Sequence, residues 1–178
     1  MTASLIILGD STCETGTYVL RLALAEALEL AFGHFQGGTP VALPAGDWVY
    51  VGSALSRGPA LGRRLARHAT RTGNQPPHAL RPAILTAFGI PAPRQKTLRW
   101  HIDYLLDRSE GNLTHGIAVR STTRLETPIA NLLVEQGQVI VRGLGASDAP
   151  GETHLLYWPG GEPAWELLTA RLMALVKR

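Results

Sequence analysis

The stretch from Trp48 to His68, which reads WVYVGSALSRGPALGRRLARH, constrains the fold of this chain more than any other. It opens with aromatic and β-branched residues that favour a strand, and the strand is expected to break at Gly52-Ser53. A helix is predicted from Ala60 onward, because apolar residues then recur at every fourth position. These apolar residues are Leu61, Leu65 and Ala69. The stretch therefore predicts a strand, a turn and an amphipathic helix in succession.

The polar residues of this predicted helix fall into two groups. Arg63 and Arg67 lie away from the apolar stripe and are expected to point to solvent. Arg64 and His68 are four residues apart and lie together on the border of the stripe. A side chain on that border is held by its neighbours and can still contact a ligand. Arg64 and His68 are therefore candidate site residues.

Length and composition predict one domain over residues 1–178. The chain has 178 residues, of which 45% are hydrophobic, and this is enough for a packed core. Cys13 is the only cysteine and cannot form an internal disulfide, which favours a reducing compartment and predicts a cytoplasmic location. The apolar run Leu5 to Leu8 is much shorter than the roughly 20 residues of a membrane span, so no membrane association is expected.

The N-terminal half predicts a small meander of strands. Leu5 to Leu8 is typical of a short edge strand or a tether. Gly16 to Leu24 alternates so that one face is apolar. That face carries Tyr18, Leu20, Leu22 and Leu24. Residues 25–32 fit either a short helix or a strand, and Val41 to Leu43 fits a further short strand.

The C-terminal half predicts more helix. Residues 70–97 are rich in proline and basic residues and are expected to form an insertion or long loop, with a short helix over 79–88. Further helices are predicted over 98–106, with Leu98, Ile102, Leu105 and Leu106 buried, over 129–134, and from Pro163 onward. Strands are predicted over 117–120, 139–142 and 154–158. The fold class is α/β of the α+β kind, with a small, mostly antiparallel sheet flanked by helices.

Charge is segregated along the chain, although the net charge is only +3. Residues 57–108 contain ten Lys or Arg and two acidic residues, whereas the rest of the chain contains seven basic and twelve acidic residues. A basic segment that also holds Trp100 and Tyr104 fits a polyanion surface, because neutralising phosphates releases counterions. A solvated face in an arginine-rich protein explains the same charge equally well.

Three short motifs resemble those of the GIY-YIG nuclease superfamily. Gly16-Thr17-Tyr18 lies on one predicted strand, Tyr50-Val51-Gly52-Ser53 ends another, and Arg64 to His68 lies on the following helix. The phrases LPAGDWVYVGSAL, LRWHIDYLL and GLGASD with HLLYW are also similar to a GIY-YIG-like family of bacteria and archaea, some members of which are fused to endonuclease III-type repair glycosylases. The resemblance covers residues 16–158 and implies a GIY-YIG-like fold. The long segment between the two motif tyrosines is expected to add a hairpin.

The resemblance implies a catalytic set of two motif tyrosines, a helix arginine and a metal-binding glutamate. In this sequence these are Tyr18, Tyr50, Arg64 and Glu126, and His68 is expected to act as a proton carrier or phosphate contact. A tyrosine can act as a base if a neighbouring cation lowers its pKa, and a planar arginine stabilises the charge that grows on the phosphoryl oxygens. One carboxylate is enough to hold a Mg²⁺ ion that keeps most of its waters, with Mn²⁺ as the alternative.

The activity that the resemblance implies is metal-dependent hydrolysis of phosphodiester bonds by an endonuclease. Nucleic acid is the expected partner, with DNA preferred over RNA, and a DNA-repair protein is a second expected partner. The side chains expected to contact nucleic acid are Arg57, Arg63, Arg67, Arg71, Arg99 and His101. Two other functions remain open. One is a nucleic-acid-binding module without activity, and the other is a protein-interaction domain in which the motif tyrosines only pack.

The candidates also have structural interpretations. A tyrosine at a strand end usually packs in the core with its hydroxyl satisfied. Pro128 disfavours a helical conformation at Thr127, so Glu126 is expected just before its helix, with Thr127 as the N-cap. His101 and Asp103 are two residues apart and face apart on a helix, which argues for structural or substrate-facing roles and against a metal pair.

One further constellation resembles part of a hydrolase triad. Ser147-Asp148 and His154 supply the residue types, but no nucleophile elbow surrounds the serine. A turn is therefore the preferred interpretation of Ser147-Asp148.

Overall fold

The computed structural model describes residues 3–73, 75–146, 149 and 151–177, and these contain a five-stranded sheet, a two-stranded sheet and five α-helices. The strands are β1 (Ser4–Gly9), β2 (Gly16–Leu24), β3 (Leu28–Leu30), β4 (Val41–Leu43), β5 (Gly46–Ala54), β6 (Gly111–Arg120) and β7 (Leu155–Tyr157). The helices are α1 (Ala60–His68), α2 (Arg81–Phe88), α3 (His101–Leu106), α4 (Glu126–Val134) and α5 (Gly161–Val176). Among the helices of these residues, not one combines the length and the apolar character that crossing a membrane requires.

The larger sheet has the strand order β1-β6-β2-β5-β7. β1 pairs with β6 in parallel, and the other three pairings are antiparallel. The predicted fold class, an α+β domain with a small, mostly antiparallel sheet and flanking helices, is therefore confirmed. The added hairpin is confirmed as well, because β3 and β4 pair with each other between the two motif tyrosines.

Helices cover both faces of the larger sheet. Along β2 the even-numbered residues face one core, which also contains apolar residues of α1, α2 and α3. Val19, on the opposite face, packs in a second core with residues of α4 and α5. The alternation of β2 was predicted from its pattern, and its four apolar residues are all buried. The burial of its second face depends on the C-terminal helices.

Several predicted boundaries are corrected by the structure. β5 continues through Gly52-Ser53 to Ala54, because β2 pairs with it over its whole length. Leu98 precedes α3 and is exposed, so it is not part of the buried stripe of that helix. Residues 139–142 form no strand. The only isolated bridge in the described part of the chain joins Gln138, just before this segment, to Tyr157. Ser147-Asp148, for which a turn was preferred, lies outside the described residues.

Candidate active site

The two motif tyrosines meet where β2 and β5 pair. Tyr18 is directly opposite Gly52, and a Cβ atom at Gly52 would lie 2.5 Å from the Tyr18 hydroxyl oxygen. The glycine of the second motif therefore makes room for the hydroxyl of the first. The ring centroid of Tyr18 is 6.2 Å from that of Tyr50 and 5.6 Å from that of His68 on α1. Strand pairing and helix packing thus bring together the rings of Tyr18, Tyr50 and His68, which are all candidate site residues.

Replacing Gly52 with alanine is expected to lower the free energy of unfolding by about 1–3 kcal/mol, because the added methyl group overpacks the space that Tyr18 occupies. Thermal and urea unfolding would measure the loss. The matched control is the same substitution in a Tyr18→Leu background, where the clashing ring is absent and the cost should shrink. An equal cost in both backgrounds would contradict this packing.

A chain of hydrogen bonds leads inward from Tyr18. The Tyr18 Oη atom lies 2.8 Å from His68 Nε2, and His68 Nδ1 lies 3.2 Å from Asp103 Oδ1. All three residues are fully buried. An ionised carboxylate only accepts hydrogen bonds, so we assign the imidazole proton to Nδ1, which donates to Asp103. His68 Nε2 then accepts the hydrogen bond from the Tyr18 hydroxyl.

Asp103 is the centre of the polar network behind His68. It accepts two hydrogen bonds of 2.9 Å from the Arg67 guanidinium and one each from the backbone N–H groups of Arg99 and Trp100. Burial raises the pKa of Asp103, but the hydrogen bonds from His68 and Arg67 outweigh it and hold the pKa below its usual value. Asp103 is therefore a carboxylate, and the prediction that Arg67 points to solvent is wrong.

The protonation states follow from burial. Burial lowers the pKa of His68 to about 4, against the opposing effect of Asp103, so the imidazole is neutral at neutral pH. Burial also raises the pKa of Tyr18 and Tyr50, and the charge of Arg64 offsets only part of this change. The expectation that a neighbouring cation lowers the pKa of a motif tyrosine is therefore wrong in its net direction. Both tyrosines are neutral phenols in the folded protein.

Stability is expected to fall as the pH falls from about 7 to about 4.5, because His68 and His78 have folded-state pKa values of about 4, lowered mainly by burial from 6.5. The unfolded chain takes up protons below pH 6.5 that the folded chain accepts only near pH 4. Thermal unfolding across this range would show a falling Tm. His68→Gln should flatten the dependence, and His34→Gln, at an exposed histidine, should not. A constant Tm in wild-type protein would contradict these pKa values.

Arg64 lies beside this network, over the ring of Trp100. Its guanidinium Cζ is 3.9 Å from the ring centroid of Trp100, and the Cζ atoms of Arg67 and Arg99 lie 4.4 and 4.9 Å from the same ring. After burial, the positive charge of Arg64 is the next largest influence on the pKa of Tyr18, and it acts to lower that pKa. Arg64 therefore adjoins both the Tyr18 hydroxyl and an arginine cluster around Trp100.

Glu126 approaches from the opposite face of the sheet. It is the first residue of α4 and Leu125 is the N-cap, so the expectation that Thr127 caps this helix is wrong. Pro128 is accommodated within the first turn, where a missing N–H costs no helical hydrogen bond. The Glu126 carboxylate accepts a hydrogen bond of 2.9 Å from Ser53 Oγ at the end of β5. Its negative charge adds to burial in raising the pKa of both motif tyrosines.

The Glu126 site suits a hard divalent cation. A carboxylate and the neighbouring Ser53 hydroxyl are oxygen donors of the kind that Mg²⁺ prefers, and Mg²⁺ takes few protein ligands. Over the described ranges, no group of three or more His, Cys, Asp or Glu side chains is arranged to hold an ion.

The side chains predicted to bind nucleic acid divide into two groups. Arg57, Arg63 and Arg99 are exposed. The others have partners within the protein: Arg67 binds Asp103, Arg71 donates to the carbonyl oxygens of Leu106, Pro76 and Gly111, and His101 Nδ1 accepts from the N–H of Gly145. A nucleic-acid contact by any of the six residues stays a prediction.

Asp103 and Lys96 belong to the buried network of this site, although neither was predicted to be a site residue. Asp103 was considered structural or substrate-facing, and its partners on α1 lie 35 and 36 residues away in sequence. Lys96 is buried with its Nζ atom 3.9 Å from Asp103 Oδ1 and without a hydrogen bond in the described structure. Burial lowers the pKa of Lys96 to about 8. A lone lysine within a long loop gives no sequence signal for such a position.

Comparison with known proteins gives one match. A family model described as a domain of unknown function, DUF123, matches residues 17–176. No curated protein and no solved structure matches the chain. The matched range includes every candidate site residue named above.

Proposed function

The chain belongs to the DUF123 family, whose description assigns no function, and from the geometry of its own site we propose that it is a metal-dependent endonuclease that hydrolyses phosphodiester bonds in DNA. The observation that carries the proposal is the chain of hydrogen bonds from Tyr18 through His68 to Asp103, next to Arg64. Tyr18, His68 and Arg64 occupy the motif positions of the GIY-YIG resemblance, and that resemblance supplies the choice of DNA over RNA. A repair setting, a repair protein as partner and a cytoplasmic location remain predictions attached to it.

The hydrogen-bond chain offers a proton path that needs no tyrosinate. An attacking water gives a proton to Tyr18 Oη while Tyr18 passes its own proton to His68 Nε2. Asp103 accepts from His68 Nδ1 and stabilises the imidazolium that forms. The resulting hydroxide attacks phosphorus, the bond to the leaving oxygen breaks, and that oxygen takes a proton from solvent. His68 then returns its proton through Tyr18 to a solvent water, which restores the neutral imidazole. His68 is thus a proton carrier, since its burial behind Tyr18 leaves it no contact with phosphate.

Arg64 has two roles in this proposal. Its guanidinium carries a fixed positive charge that stabilises the negative charge developing on the phosphoryl oxygens. It also adjoins Tyr18, which is fully buried in the structure. Water can reach the Tyr18 hydroxyl only if neighbouring side chains move, and we assign this movement to Arg64 as its guanidinium turns toward a phosphate. Exposed Arg57, Arg63 and Arg99 supply charge for holding the DNA backbone.

Glu126 would hold the metal, with Ser53 orienting its carboxylate. When bound, a divalent cation would polarise the phosphate and stabilise the leaving oxygen. The carboxylate lies at the end of β5 next to Ser53, and its charge acts on both tyrosines. This electrostatic coupling supports a site shared by Glu126 and the two tyrosines.

A DNA-binding module without activity is the second candidate. Burial favours it, because Tyr18 and Glu126 both have internal hydrogen-bond partners and Tyr18 has no exposed surface. In that case the arginines around Trp100 would bind the backbone, and binding would weaken steeply with salt.

Cleavage of labelled duplex, single-stranded and branched DNA, each with Mg²⁺ and with Mn²⁺, tests the proposal. Wild-type protein should cut at least one substrate, and Glu126→Gln should abolish cutting while salt-sensitive binding survives. Glu135→Gln is the matched control, because Glu135 is an exposed glutamate at the end of the same helix. If wild-type protein binds DNA in a salt-sensitive manner but cleaves no substrate under any condition, the DNA-binding module replaces the endonuclease proposal.

A further inference from the structure

We propose that His154 is a second ligand at the Glu126 metal site, so that the site combines oxygen and nitrogen donors and selects a first-row transition ion over Mg²⁺. The inference rests on the proposed function only in taking Glu126 as a metal ligand. It assigns a role to a histidine that the proton path does not use.

The two side chains face each other across a short gap. His154 Nδ1 lies 3.6 Å from Glu126 Oε1, and both residues are buried. Within the described part of the chain, His154 Nδ1 has no hydrogen-bond partner. Two atoms that ligate one ion at about 2.1 Å each must lie within about 4.2 Å of each other. The observed separation meets that requirement.

The surrounding hydrogen bonds fix which ring nitrogen is free. His154 Nε2 is 2.7 Å from Glu152 Oε2, and a carboxylate accepts, so in the neutral ring Nε2 carries the proton. The other oxygen of Glu152 accepts a hydrogen bond of 2.7 Å from Thr127 Oγ1, which holds this carboxylate in place. His154 Nδ1 then presents a lone pair toward Glu126. A carboxylate behind the far nitrogen is the usual support of a metal-ligating histidine.

The Glu126 carboxylate is oriented in the same manner. Ser53 Oγ donates to its Oε2 atom, which leaves Oε1 facing His154. The exposed Arg124 has its Nε atom 3.9 Å from Oε2, which is the oxygen bound by Ser53 and not the one paired with His154. With a neutral ring, two lone-pair donors face each other with no proton between them, and a divalent cation would satisfy both. The alternative is an imidazolium that bridges Glu126 and Glu152, and this alternative predicts competition with a metal.

An imidazole ligand changes which ion the site prefers. Carboxylate and water suit Mg²⁺, whereas imidazole suits first-row transition ions. A site built from Glu126 and His154 should therefore bind Mn²⁺ or Co²⁺ in the presence of excess Mg²⁺. Removing the imidazole should abolish that preference and leave a weak oxygen site.

Mn²⁺ titration followed by electron paramagnetic resonance tests the inference without DNA. His154→Ala should weaken Mn²⁺ binding at least about tenfold, since losing even an outer-sphere partner such as Glu152 costs about 10- to 100-fold. Pulsed measurements on bound Mn²⁺ should show nitrogen coupling from imidazole in wild-type protein and none in His154→Ala. His34→Ala, at an exposed histidine, is the control and should change neither result. Far-ultraviolet circular dichroism would confirm that each variant is folded.

The outcomes separate this inference from the proposed function. Nitrogen coupling that disappears with His154 supports the inference even if no DNA is cut. A different result would overturn the inference in favour of the bridging imidazolium: Mn²⁺ binding requires Glu126, shows no nitrogen coupling, and is unchanged or tighter in His154→Ala. That result leaves the endonuclease proposal standing. Absence of Mn²⁺ binding in wild-type protein overturns the inference and removes the metal site of the proposed function as well.

Discussion

Arg64→Ala is expected to lower the rate of DNA cleavage by about 10²- to 10³-fold, the cost typical of removing one preorganised group that stabilises transition-state charge. The Arg64 guanidinium lies over Trp100 and next to Tyr18, and the rest of the site is held by other contacts. The substitution should therefore leave the fold intact. Single-turnover cleavage of a labelled substrate measures the rate, and a thermal melt checks the fold.

The chain offers a close control for this prediction. Arg63 precedes Arg64 on α1 and is exposed, so Arg63→Ala removes the same charge from the same helix without touching Tyr18. It should weaken DNA binding and its salt dependence slightly while leaving the single-turnover rate at saturating protein close to wild type. Equal losses of rate in both variants would mean that Arg64 contributes only general charge.

Asp103→Ala is expected to lower the free energy of unfolding by about 3–5 kcal/mol, which is the usual cost of removing one partner from a buried charged network. Asp103 is fully buried and accepts hydrogen bonds from Arg67, His68 and two backbone N–H groups. Its removal would leave the buried Lys96 Nζ and the Arg67 guanidinium without their carboxylate. Few single substitutions in this chain should cost as much.

Urea unfolding would measure this loss, with Asp10→Ala as the control, because Asp10 is exposed and its carboxylate accepts hydrogen bonds from the neighbouring Thr12. Asp103→Asn keeps the shape of the side chain and should still be strongly destabilised, since it cannot accept from Arg67 and His68 as an anion does. A loss below about 1 kcal/mol for Asp103→Ala would contradict the network, because that is the size expected for an exposed ion pair.

The parts of the fold that were predictable from sequence have local causes. The alternation of β2 and the four-residue spacing of α1 each reflect one element and one buried face, so Tyr18 and Leu61 could be placed from pattern alone. The second buried face of β2 could not, because it depends on distant elements. Arg21 is buried there against Glu162, which is 141 residues away in sequence.

In the candidate site, too, local features were predictable from the sequence and contacts between distant elements were not. Motif spacing identified Tyr18 and His68, but their hydrogen bond depends on how α1 packs against β2. Arg67 was assigned to solvent because α1 alone gives it no partner, and Asp103 comes from α3. Pro128 suggested a displaced Glu126, since the rule for the residue before proline is local, whereas a first helical turn tolerates proline. Local sequence patterns do not indicate which residues of distant elements pair with each other.

Proton transfer from Tyr18 to His68 can be tested by comparing Tyr18→Phe with Tyr50→Phe in single-turnover cleavage. Both substitutions keep a ring in the core, but only Tyr18 has a hydrogen bond to His68. Tyr18→Phe should lower the rate by about 10²- to 10⁴-fold, and Tyr50→Phe should lower it far less. A Tyr18→Phe protein that is folded and cuts DNA at the wild-type rate would contradict this proton transfer.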